Sequence, residues 1–271
     1  MCISVPARII QGENGGLMTH LVDMHMHAGF ADDPATFAHA LADAGIASFA
    51  NTVTPGEYAR LSPMLASIPT MRLGLGLHPW WVDTPELGTL DDALDAFATQ
   101  LAGTRFVGEV GLDFWPTRVS TKDAQMRAFT RIAALCAAKG DVLISMHSVK
   151  AERELLDVLE DSGCLGRCTC ILHSYGGPSD QLARAIEDGC LFSVGTRMLS
   201  TKRGREYARI IPEERLLVES DLPAAADEPT STCDVVRSLE SVLDGLARIR
   251  DIDLACLRES IDVRSRSLLD L

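Results

Sequence analysis

From about residue 20 onward, short apolar runs rich in β-branched residues alternate with longer stretches in which apolar positions recur every three or four residues. The short runs predict buried strands over 20–24, 46–51, 72–77, 105–109, 142–146, 168–172, 190–194 and 216–219. The longer stretches predict helices over 34–44, 91–101, 122–138, 150–161 and 179–188, with two more filling 233–249 and 253–269. Eight strands separated by helices is the order of a (β/α)8 TIM barrel, and the chain contains no Pro/Ser-rich linker or low-complexity segment that would divide it. A single domain over residues 18–271 is therefore expected, with 1–17 as an N-terminal extension ahead of the first strand. An open doubly wound sheet gives a similar alternation. The two differ in where reactive residues must fall, because only a barrel brings every carboxyl strand end to one rim.

Composition changes this picture little. The 271 residues are 46% hydrophobic and 23% charged, enough to bury a core without staples. The net charge of −13 argues against a surface that wraps long nucleic acid, although cations held in an acidic site can still receive a short phosphodiester. Eight cysteines are scattered through apolar or helical contexts, and Cys164, Cys168 and Cys170 lack the paired spacing of a structural zinc site, so reduced thiols are expected. The first twenty residues carry no basic opening followed by an apolar run, and no stretch approaches the roughly 18 apolar residues of a membrane span. A cytoplasmic protein is the expectation.

The chemistry lies at the predicted strand ends. His25 and His27 close the first strand in VDMHMH, where a spacing of two puts both imidazoles on one face. Asp23 shares their parity and is expected to orient one of them. Glu109 ends the fourth strand inside the apolar run FVGEVGLDF, a costly place for a carboxylate without a partner. His147 ends the fifth strand, His173 the sixth, and Asp221 follows the eighth. Of seven histidines, five (His25, His27, His78, His147 and His173) occupy carboxyl strand ends, and His20 and His39 do not. Convergence on one rim is what a barrel enzyme requires and what scattered core histidines would not give. Imidazole with carboxylate suits zinc, manganese, iron or magnesium-like ions. Four histidines and two carboxylates exceed the needs of one tetrahedral ion, so two divalent ions sharing one carboxylate is the economical arrangement.

In order along the chain, the motifs DMHMH (23–27), GLHP (76–79), GEVGLD (108–113), HS (147–148), HSYGG (173–177) and ESDLP (219–223) resemble those of the TatD family of metal-dependent deoxyribonucleases, barrel hydrolases related to the amidohydrolases. The resemblance spans about 21 to 223. It implies that His25, His27 and Asp221 serve one ion, that His147 and His173 serve the other, and that Glu109 bridges them. It also implies that Asp221 is the base for the attacking water and that His78 lines the substrate cleft.

The departures fall on the substrate side. Val149 stands where the family usually has an arginine, with Lys150 next as the candidate phosphate contact. Ala224 replaces a common aromatic residue, and the closing motif of the family is not recognisable in 265–271. The expected partner is DNA or another phosphodiester or ester. Hydrolysis of a different ester or amide, such as an aminoacyl-tRNA ester or a lactone, would use the same ions. A non-catalytic barrel subunit is the reading from another class, and the intact Glu109 and Asp221 argue against it. The cluster Lys202, Arg203 and Arg205 reads as a solvated helix start or a phosphate contact, and Trp80 with Trp81 as rim packing or a stacking surface for bases.

Overall fold

The computed structural model describes residues 21–226 and 228–271. The proposed extension over 1–17 and the first residue of the expected first strand, His20, lie outside the described residues. Eight strands pair in parallel, each with its successor: β1 (Leu21–Met26), β2 (Ile46–Asn51), β3 (Met71–Leu77), β4 (Phe106–Asp113), β5 (Leu143–Val149), β6 (Thr169–His173), β7 (Leu191–Val194) and β8 (Leu216–Val218). The outer layer contains α1 (Pro34–Asp43), α2 (Pro55–Leu65), α3 (Leu90–Leu101), α4 (Lys122–Lys139), α5 (Glu152–Asp161), α6 (Ser179–Glu187), α7 (Thr196–Ser200), α8 (Lys202–Ile210), α9 (Thr232–Arg250) and α10 (Leu254–Leu268). This is the (β/α)8 barrel that the alternation predicts, in place of an open sheet.

Local chemistry starts these helices. The Asp33 carboxylate accepts the amides of Ala35 and Thr36, and Ser231 forms a reciprocal capping box with Asp234. Helix α2, which the pattern did not predict, is capped by Thr54, opens on Pro55 and carries Pro63 within it. Glycine and two prolines mask the helical period in sequence, although a proline in the first turn costs no hydrogen bond.

Most of the core lies between strands and helices, and a smaller apolar cluster that includes Val22, Met24, Phe49, Leu143, Ile171 and Leu217 fills the barrel. Leu269 joins that inner cluster from beyond α10. Arg72 and Arg105, at the amino ends of β3 and β4, hold the carbonyls of Asp270 and Leu268, so the turn after α10 crosses the barrel floor. No helix among the described residues is long and apolar enough to cross a membrane. The buried thiols of Cys136, Cys164, Cys170 and Cys190 and the half-buried Cys168 are free among the described residues.

Four strands run further than predicted, and all carry site residues: β1 continues through His25 to Met26 and β6 to His173, while β4 continues past Glu109 to Asp113 and β5 through His147 to Val149. The helix expected from residue 150 begins instead at Glu152, because Lys150 adopts a left-handed backbone with φ 54°.

The ring closes next to the site. Asp221 N–H donates to His25 O and His27 N–H to Leu222 O, each at 3.0 Å. Asp23 accepts both the backbone N–H and the hydroxyl of Ser220. The pairing register shifts between Asp23 and Met26, so strict alternation does not carry from Asp23 to the histidines. Asp23 therefore does not orient an imidazole, contrary to its parity in the sequence; it ties the first strand to the segment after the last.

Candidate metal centre

Close backbone packing puts Glu109 at the middle of the rim. A Cβ on Gly76 would lie 1.6 Å from Thr52 O, and one on Gly108 1.9 Å from Asn51 Oδ1. Glycine at both positions lets β2, β3 and β4 crowd together, so that Glu109 N–H reaches Thr52 O at 2.8 Å.

Five imidazoles surround the buried Glu109 carboxylate and divide between its two oxygens. Oε2 lies 3.4 Å from His25 Nε2 and 3.1 Å from His27 Nε2. Oε1 lies 2.9 Å from His147 Nδ1, 3.0 Å from His173 Nε2 and 3.3 Å from His78 Nε2. Asp221 stands on the Oε2 side, with Oδ1 3.8 Å from His25 Nε2 and 3.7 Å from His27 Nε2. Its side chain keeps 32% of its surface exposed, against 3% for Glu109, so Asp221 is the carboxylate that water and substrate can reach.

The far nitrogens of His25, His27 and His147 are held by the protein, and that of His173 faces a carboxylate. His25 Nδ1 lies 2.7 Å from Ser145 Oγ, and His27 Nδ1 lies 3.2 Å from the carbonyl of Asn51. His147 Nε2 lies 3.1 Å from Asp113 Oδ2, which also accepts the Trp80 indole N–H at 2.6 Å. His173 Nδ1 faces the fully buried Glu219 at 3.6 Å. Such contacts fix which nitrogen offers its lone pair toward the centre. Asp113 and Ser145 were not among the residues singled out in the sequence. Asp113 lies four residues beyond Glu109 on the same strand face, and an acid in that apolar run was the available signal.

His78 differs from the other four. Its Nδ1 accepts the Trp80 backbone N–H at 3.1 Å, so in the neutral ring Nε2 carries the proton and donates to Glu109 Oε1. Proximity alone would group it with Glu109 and His147 as a cation site, but its inward nitrogen has no free lone pair. Both nitrogens are engaged, and the ring packs edge-on against Trp80 and Trp81.

Electrostatics separate the rings again. Burial pushes His25 and His78 down to about 4. Burial also opposes protonation of His27, His147 and His173, but Glu109 outweighs it, with Asp113 helping at His147 and Glu219 at His173; all three are raised. Burial alone would raise Glu109, yet the surrounding histidines, His78, His173 and His25 foremost, hold it well below the usual range. Burial lifts Asp23 to about 7 despite its bonds from Ser220.

The donor set fits divalent cations. His25 Nε2 is fully buried, has no hydrogen-bond partner and points toward Glu109 Oε2, and three groupings of histidine with Glu109 or Asp221 bring one ligand atom per residue within 4.8 Å of one another. Loss of an outer partner should be measurable. Asp113→Asn, which weakens the hold on His147, is expected to lower cation affinity roughly 10- to 100-fold by isothermal titration without changing the melting midpoint of the cation-free protein by more than a few degrees.

A barrel whose rim gathers histidines and carboxylates in this way is the architecture of a metal-dependent hydrolase. The chain belongs to the TatD family: the model described as TatD related DNase matches residues 22–270. An uncharacterised metal-dependent hydrolase TatD of Mycobacterium tuberculosis is 30% identical over 77% of this chain and 82% of its own length. A 3'-5' ssDNA/RNA exonuclease TatD of Salmonella typhimurium is 30% identical over 72% and 76% respectively. In fold, the chain is similar to the crystal structure of the TatD homologue YjjV of Escherichia coli, with a TM-score of 0.71 and 19% identity over 93% of this chain and 98% of that one.

Proposed function

We propose that the protein holds two divalent cations, magnesium, manganese or zinc, and hydrolyses phosphodiesters at single-stranded or frayed DNA ends. The division of four imidazoles between the two oxygens of Glu109, His25 and His27 at Oε2 and His147 and His173 at Oε1, carries this reading. His25, His27 and Asp221 with Glu109 Oε2 would hold one cation, and His147 and His173 with Oε1 the other. Bound there, the cations would polarise the phosphoryl oxygen and acidify the attacking water. Asp221 takes the proton of that water on a carboxylate oxygen as the water oxygen attacks phosphorus and the ester P–O bond breaks. Glu219 is fully buried behind His173 and cannot take that role. His78 acts on Glu109, orienting Oε1, rather than on substrate. Lys150, at the rim, is the phosphate contact in place of the missing arginine. The exonuclease names of related proteins favour a nucleic acid substrate.

The test compares single-stranded DNA, duplex DNA, RNA and a simple aryl carboxylate ester with Mg²⁺, Mn²⁺ or Zn²⁺ added. Single-stranded DNA is expected to be cleaved fastest; turnover of the carboxylate ester alone would replace this reading with that of an esterase. Chelation should abolish activity, and cation addition should restore it. His27, His147 and His173, all raised, hold protons that bound cations must displace, so loading should release protons into a weakly buffered solution and affinity should fall as pH falls.

A further inference from the structure

A cleft of about 760 Å³ opens from His147 and His173 and runs outward between the loops that follow β4, β5, β6 and β7. It is larger than one reacting phosphate needs and falls in the range of small-molecule sites. Trp115 and Lys150 form one wall, Arg197 and Arg203 the other.

Trp115 is 50% exposed, so much of its indole face is open to the cleft. The Lys150 ammonium sits 4.3 Å from the centroid of its ring. Lys150 reaches that position through the left-handed turn already described, and its N–H is held by Glu152 Oε1 at 3.2 Å. A left-handed backbone is unfavourable for lysine and persists where neighbours enforce it. Across the cleft, Arg197 makes no side-chain hydrogen bond or ion pair among the described residues, so its guanidinium is unspent. Arg203 donates to the carbonyl of Gly176 at 3.3 Å and holds the loop after β6.

Of the acids that line the cleft, Glu154 pairs with Lys122 at 3.1 Å, which leaves Glu152 and Asp180 to face Lys150, Arg153, Arg197 and Arg203. An excess of cations over acids in one cleft of a chain with net charge −13 is selective for an anion. An exposed indole beside it is selective for a flat ring.

Resting on the phosphodiesterase reading, the geometry points to a second-nucleotide subsite, in which the base next to the scissile phosphodiester stacks on Trp115 while its phosphate lies between Lys150 and Arg197. A base can offer its face to an indole only when it is not stacked in a duplex, so this subsite selects unpaired ends. It also accounts for Val149: a cation moved one residue along and turned into the cleft serves the neighbouring phosphate as a point charge.

The experiment uses the metal-loaded full chain, a dye-labelled phosphorothioate tetrathymidylate that resists cleavage, and bis(p-nitrophenyl) phosphate, a diester too short to reach Trp115. Trp115→Ala should weaken oligonucleotide binding about tenfold. Arg197→Gln should weaken it several-fold and reduce the slope of log affinity against log salt by about 0.7. Both variants should hydrolyse bis(p-nitrophenyl) phosphate at the parent rate, and a duplex of the same sequence should bind the parent at least about tenfold less tightly than the single strand. Unchanged oligonucleotide binding in both variants, an equal loss on the aryl diester, or no binding by the parent overturns the subsite. A parent that binds the oligonucleotide as described but cleaves neither diester supports the subsite and overturns the phosphodiesterase reading.

Discussion

Glu109→Ala should cost the protein both cations together. The carboxylate stands within 3.4 Å of five imidazole nitrogens, so its removal takes away the shared anion that lets two positive ions approach each other. The histidines remain, but they face one another across a cavity with no negative charge between them. Metal analysis after reconstitution and dialysis should find well under half the parent content. Turnover should fall by at least about three orders of magnitude, beyond the roughly 10- to 100-fold that loss of an outer partner produces. Full cation content in the variant, in a fold that melts like the parent, would show that the histidines hold the ions unaided and that Glu109 is not a bridge.

Asp221→Asn separates catalysis from binding. Asparagine keeps the shape and one oxygen, and it tolerates the left-handed backbone that Asp221 adopts at φ 58°, so the seam to His25 should stay intact. What is lost is the negative charge and the proton acceptor. Cation content should therefore be largely retained while turnover drops by roughly two to four orders of magnitude. A variant that cleaves at nearly the parent rate with cations bound removes Asp221 from the role of base. Glu219, fully buried behind His173, offers no substitute.

The residues that converge at the rim were legible because they punctuate the ends of apolar runs, and a barrel makes those ends one place. His25, His27, Glu109, His147, His173 and Asp221 lie together as that logic requires. Lys150 was legible as a cation beside the site, but the left-handed turn that sets it against Trp115 was not, since nothing in VKAE marks it. Asp113 is hidden because the apolar run reads as ending at Glu109, while β4 runs on for four more residues. Strict alternation sets Asp23 beside the imidazoles, and an irregularity in β1 breaks that alternation. Helix α2 was hidden by its own prolines. The basic run at 202–205 proved to be the start of α8, where the Arg205 guanidinium is used on the carbonyls of Leu199 and Ser200. Each of these misses concerns geometry within an element or between elements far apart in sequence, which residue identity alone does not encode.

The closure between β1 and the segment after β8 bears on when activity can arise. Asp23 meets Ser220 across 197 positions, and the same seam brings Asp221 to His25 and His27. Contacts of such separation form late, since most of the chain must be ordered before its ends can meet. Glu109, His147 and His173 can assemble from the middle of the chain, but Asp221, the proposed base, arrives only after the final strand. A nascent polypeptide still lacking residues beyond 218 would carry one half of the centre and no means to use it, so a hydrolase of this construction stays silent until the segment after β8 has been made.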